Sequence, residues 1–220
     1  MSEEPSSYKR IKSRIENLSD LVFGLALSIG SLTLIAHIPT NTNALVTDIA
    51  YFGFSFLIVI MIWSGYTRTV TFIPIETEGI FLLNIILLFV VALEPFLFYV
   101  LVSTGGNSVT ELAFLNSASA AYALDVGVMY LIQAGFDFIV VREERGKHTH
   151  SEALILRFRR LGALLSLGGG LFLVSALPFF WVVLGGSYLR FDFWCASIAA
   201  FIATRFISWG SITHSNTIEK

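Results

Sequence analysis

Residues 14–36 read RIENLSDLVFGLALSIGSLTLIA, so that Arg14, Glu16, Ser19 and Asp20 run straight into an apolar stretch with no turn signal between them. Locally, Ser19 or Asp20 suits a helix start, because either side chain accepts from orphan amides and an acid favours the positive helix end. A cap alone does not account for the length of the apolar run behind it. That run is close to the roughly 20 residues that a membrane-crossing helix needs.

The rest of the chain repeats that pattern. Of 220 residues, 55% are hydrophobic and only 14% charged, with a mean hydropathy of +0.75. That leaves too little polar surface to cover a soluble globule. Six segments approach spanning length, at about 20–37, 49–72, 79–103, 116–140, 161–184 and 191–209. The connectors "PTNTN", "STGGNS", "EERGKHTHSE" and "LGGSYLR" carry the Gly, Pro, Asn and charge content of loops. No small-residue cleavage pattern lies beyond the first run, which is therefore expected to be a retained span. The formal charge of -2 gives no nucleic-acid footprint, and the single Cys195 allows no intrachain disulfide.

Basic residues set the expected topology, since Lys and Arg near span ends stay on the cytoplasmic side. Thirteen of the 14 fall on one side, with Arg190 alone opposite. The expectation is an all-α polytopic membrane protein, one domain over 1–220, with six spans and both termini cytoplasmic. Its first span is less apolar than the others, with Gly24, Ser28, Gly30, Ser31 and Thr33 among the leucines. Gly24, Ser28 and Ser31 form a stripe that suits close helix packing, with Ser28 bonding back to a carbonyl one turn earlier. Spacing alone favours that packing; the alternative is a pore wall, with apolar rings and hydroxyls on the overlapping face of Leu25, Ser28, Ile29 and Leu32.

"RIENLSD" at 14–20 followed by "LVFGLALSIGSLTLI" resembles the Arg-x-x-x-Phe-Ser-Asp signature of the transmembrane protein 175 family, the endolysosomal potassium channels and their prokaryotic homologues. Arg14, Ser19 and Asp20 match, and Leu18 stands where the family has Phe. "FGFSFLIVIMIW" ending at Trp63 and "LLNIILLFVVALEPF" from Leu82 to Phe96 are similar to the family's second and third helices, including Trp63, Asn84 and Pro95. This chain departs from it at "WSGYTR", with Tyr66 and Thr67 where many relatives have histidines, and at Thr33, where an acid is common.

The resemblance implies a homotetrameric potassium-selective or weakly cation-selective channel in the lipid bilayer, in the cell membrane of a prokaryote, with K+ as permeant ion and no cofactor. The first helix would line the pore, Leu25 constricting it and Ser28, Ile29 and Leu32 forming further layers. An apolar ring gates by dewetting and hydroxyls replace part of an ion's hydration. Arg14, Ser19, Asp20, Trp63 and Asn84 would form a polar network that clamps the first helix to the second and third, in preference to coordinating ions.

Other residues suggest rival readings. Asp125 or Glu94 would serve a proton-coupled secondary transporter, because acids within spans are costly and commonly functional. Glu94 is expected near the outer end of its span, where Pro95 loosens the helix. A non-conducting membrane scaffold of the same fold is a third reading. His148 and His150 are expected to be solvated, so no metal site is assigned. "GGG" at 168–170 indicates close helix packing or local flexibility and not a phosphate loop. No paired catalytic carboxylates, HExxH or GxSxG occur, which leaves an enzyme without residues to carry it.

Overall fold

Three of the described helices begin where a polar side chain satisfies amides that have no partner one turn earlier. The computed structural model describes residues 5–36, 39–74, 77–103, 108–146, 151–184, 187–199 and 202. Helix α1 (Pro5–Ala36) is followed by α2 (Thr42–Val70), where Asn41 Oδ1 accepts from the Ala44 amide at 2.9 Å. Helix α3 (Glu78–Ser103) leads to α4 (Val109–Arg145). There Ser108 and Glu111 form a reciprocal capping box, at 3.2 Å and 3.0 Å. Ser151 opens α5 (Glu152–Ser175), accepting from the Leu154 amide at 3.4 Å. Among the described residues, these five helices are long and apolar enough to cross a membrane.

The observed ends differ from the expected spans in instructive ways. Helix α5 starts in the charged stretch "EALILRFRR" and stops at Ser175, so the expected span 161–184 is corrected at both ends. Pro178, which has no amide to donate back into the preceding turn, opens a 3-10 turn over Pro178–Phe180, and Val183–Leu184 then pairs antiparallel with Ser187–Tyr188. The chain is helical again over 189–199; most of the expected sixth span beyond that point, and the His148/His150 loop, lie outside the described residues. Helix α3 continues through Pro95 to Ser103, and Glu94 is fully buried. The expectation of Glu94 at an outer helix end is therefore also corrected.

Helix α4 is the most buried of the spans, and its pairing with α5 is the most extensive helix contact. Glycine permits that approach. A Cβ at Gly169 would lie 3.0 Å from the Gly127 carbonyl oxygen, and one at Gly127 would lie 3.2 Å from that of Gly169. Of the "GGG" triplet, Gly169 alone sits at this crossing: Gly168 has ordinary contacts with Tyr130 and Gly170 faces open space.

Arg190, the lone basic residue on its side in the sequence reading, is fully buried and ties three segments together. Its Nε donates to Ser175 O at 2.7 Å, and Nη1 donates to Asn116 O at 2.9 Å, to Asn116 Oδ1 at 3.0 Å and to Ser119 Oγ. Nη2 donates to Ala176 O and Leu177 O, both at 3.2 Å. The guanidinium also lies 5.3 Å from the Trp181 ring centroid. Carbonyls that α5 leaves open at its C-terminus are thus filled by one planar fork of donors.

Lysine cannot reproduce that fork, so Arg190→Lys is expected to cost about 2 kcal/mol or more, read as a lower unfolding midpoint in detergent. In the same assay Gly169→Ala should destabilise, because its new methyl meets backbone, whereas Gly170→Ala should be neutral or slightly stabilising.

Candidate functional site

Helix α1 is two-faced. Ser19, Phe23, Ala26 and Gly30 are buried against the bundle. Leu18, Leu21, Leu25, Ser28, Ile29 and Leu32 are exposed, with Leu21 at 71%, Leu25 at 58% and Leu32 at 57%. At 100° per residue these six fall within about 100° of one another. The four residues expected to line a pore therefore share one face that none of the described residues covers. Gly24 beside it has nothing within 4 Å of its Cβ position.

Ser28 Oγ donates back to Gly24 O at 2.8 Å, and Ser31 Oγ donates to Ser28 O at 2.7 Å. The back-bonding expected of Ser28 is present. A hydroxyl has one proton and two lone pairs. With the Ser28 proton directed along the helix, its oxygen retains acceptor capacity on the exposed face.

Ser19 fixes how α1 sits. It is fully buried, donates to Ile15 O at 2.9 Å and lies 2.7 Å from the Tyr66 hydroxyl on α2. Since the serine proton goes to Ile15, Tyr66 donates the second bond. One residue on, Asp20 Oδ1 accepts from Trp63 Nε1 at 3.0 Å. Phe23 packs on Tyr66 with ring centroids 5.7 Å apart. Trp63 and Tyr66 are three apart on one helix and thus share a face, so two adjacent residues of α1 meet two same-face residues of α2. Lys12 Nζ adds a bond to Thr71 O at 3.2 Å near the foot of both helices.

Of the expected network, Ser19, Asp20 and Trp63 come together, with Tyr66 as the partner that sequence reading missed. The spacing from Trp63 was the available signal. Asn84 is fully buried on α3 near Tyr66, but its amide nitrogen and oxygen complete no hydrogen bond. Arg14 is exposed and lies about 120° around α1 from Asp20, at the foot of the face that carries Leu18, Leu21 and Leu25. The structure leaves it outside the clamp.

The acids sit elsewhere in the bundle. Glu94 accepts from Ser55 Oγ at 2.8 Å and 3.1 Å and from Tyr122 OH at 3.0 Å, joining α2, α3 and α4. Asp125 is buried, with Oδ2 unpartnered. Asp137 is buried and bonded to Thr69. Among the described residues no group of three or more His, Cys, Asp or Glu is placed to hold a metal ion.

Residues 14–95 match the family model described as endosomal/lysosomal potassium channel TMEM175, a stretch that begins at Arg14 and ends at Pro95. The match spans the first three helices, from within α1 to Pro95 of α3, and the family it names is one of potassium channels; the five long apolar helices are those of a multi-pass membrane protein. No curated protein and no solved structure matches the chain.

The Ser19 and Tyr66 contact is testable by a double-mutant cycle. Ser19→Ala and Tyr66→Phe should couple by about 0.6–2 kcal/mol in unfolding free energy; strict additivity would show that the bond contributes nothing.

Proposed function

We propose that this chain, taken as a member of the TMEM175 family, assembles as a homotetramer in which four α1 helices surround a pore for potassium or, more weakly discriminated, other monovalent cations. The observation that carries the reading is the uncovered face of α1. In a lone subunit that face is simply apolar surface toward lipid; in a four-fold ring it becomes a lumen.

Leu25 then forms the narrowest apolar ring, and Ile29 and Leu32 form further layers. Such a constriction blocks conduction by excluding water when the helices close and passes ions when they separate. Ser28 Oγ, its proton committed to Gly24 O, offers a lone pair that replaces part of an ion's hydration. The Ser19, Asp20, Trp63 and Tyr66 clamp sets the rotation of each α1 and does not itself contact the ion. The membrane in question is taken to be the cell membrane of a prokaryote, and both termini are taken as cytoplasmic.

A second reading, a proton-coupled secondary transporter, is favoured by the buried Glu94 with its Ser55 and Tyr122 donors and by the buried Asp125, whose Oδ2 has no hydrogen-bond partner. It predicts saturable transport that Asp125→Asn abolishes, where the channel reading predicts flux that does not saturate in that way. A non-conducting scaffold predicts a tetramer with no flux in any gradient.

In liposomes carrying the purified chain, Leu25→Ala should raise potassium flux severalfold and narrow the difference between potassium and sodium, because a smaller ring wets more readily. Flux and selectivity unchanged from wild type would remove α1 as the pore wall. A monomeric mass in detergent would remove the central pore altogether.

A further inference from the structure

A cavity of about 370 Å³ opens between α2, α4 and α5, away from the exposed face of α1. We propose that it holds the headgroup of a membrane phospholipid that carries a primary ammonium beside its phosphate. The volume falls within the range of small-molecule sites, and three features of its lining specify the chemistry.

The floor is polar and rich in acceptors. Gln133 Nε2 donates to Thr69 Oγ1 at 3.0 Å, and Thr69 Oγ1 lies 2.9 Å from both Asp137 Oδ1 and Gly65 O, two acceptors for its one proton. Gly65 permits this, since any Cβ there would meet the Gln133 side chain at 3.3 Å. The cluster leaves acceptors unfilled: Gln133 is 1% exposed, yet its Oε1 has no hydrogen-bond partner. Asp137 is 2% exposed, and among the described residues it is bonded to hydroxyl and amide groups and not to a cation. A buried carboxylate in a membrane protein calls for a counter-charge. An N–H donor that is also positive answers both groups at once.

The rim carries the opposite charge. Arg68, in the last turn of α2, and Arg157, near the start of α5, line the same cavity. Arg68 gives its Nε to Ser64 O at 2.8 Å, which uses one of its five donors. An anion alone would face Asp137, and a cation alone would leave two guanidinium groups unmatched. A zwitterion satisfies floor and rim together, because its phosphate takes the arginines. Beside them Phe72, Phe158 and Leu165 supply an apolar wall for the start of an acyl chain. Both arginines stand at helix ends, the depth at which headgroups lie.

A quaternary ammonium has no N–H to give Gln133 Oε1, so the site separates phosphatidylethanolamine from phosphatidylcholine. The full-length chain, stripped of lipid in detergent, is titrated with dioleoyl phosphatidylethanolamine, phosphatidylcholine and phosphatidylglycerol in turn, and bound lipid is counted by native mass spectrometry. Phosphatidylethanolamine should bind about tenfold more tightly than either other lipid. Gln133→Leu and the exposed-rim change Arg157→Gln should each remove most of that preference, while Phe89→Ala, on an exposed face of α3, should leave it intact. Equal binding of the three lipids, or a preference that survives both cavity substitutions, would overturn the proposal. So would phosphatidylglycerol binding as well as phosphatidylethanolamine, which would reduce the cavity to an arginine patch. Free phosphoethanolamine displacing the lipid at equal concentration would overturn the lipid assignment in favour of a soluble zwitterion.

Discussion

A straight helix lying on a bundle can in principle rotate about its own axis, and each residue of slip moves every side chain by 100°. In α1 that freedom is removed at one level, where Ser19 meets Tyr66 and Asp20 meets Trp63. Two bonds from adjacent residues, 100° apart, cannot both be kept if the helix turns by even one position. Whatever faces outward further along the helix, from Leu25 to Leu32, is thereby decided at residues 19 and 20. Phe23, on the inner face, adds a steric check by packing on the same tyrosine. The clamp and the exposed Leu25 face are thus two ends of one rigid element, and a change at the first is transmitted as rotation to the second.

The remaining polarity of the bundle is arranged around α4. Along its length it meets Arg190 through Asn116 and Ser119, Glu94 through Tyr122, and Thr69 through Gln133 and Asp137. With little water to satisfy them, such groups need partners on neighbouring helices. Each layer therefore ties α4 to different elements, and glycine at 127 and 169 lets the backbone of α5 come close enough to complete the packing. The clamp of α1 is made with α2 and not with α4, which keeps the polar layers of α4 separate from the bonds that orient α1.

Much of this was legible in advance where the physics is local. Long apolar runs and the back-bonding of Ser28 depend on residues close in the chain, whereas the helix start expected at Ser19 or Asp20 lies inside α1, which begins at Pro5. That Leu25, Ser28, Ile29 and Leu32 share one face follows from helical period, and the choice of that face came from the family resemblance. What escaped were partners far apart in the chain. Ser55 and Tyr122 on Glu94 are separated from it by 39 and 28 residues, and no spacing rule connects them. Glu94 was misplaced because Pro95 suggests a helix end, whereas a proline removes one amide and can be carried through when the surrounding helices hold the backbone. The fifth helix was placed too late because "LRFRR" has the charge of a loop, although arginine is a good helix former and its aliphatic stem lies readily along a membrane boundary.

Arg190 imposes an order of events on chain assembly. Its acceptors lie 13 to 15 residues back at the end of α5 and 71 to 74 residues back at the start of α4. While a nascent chain emerges, both helices are made before the residue that completes them. The α4 and α5 pair therefore spends its first moments as an unfinished hairpin with its C-terminal carbonyls unfilled, and it closes when the next segment folds back to insert a single guanidinium.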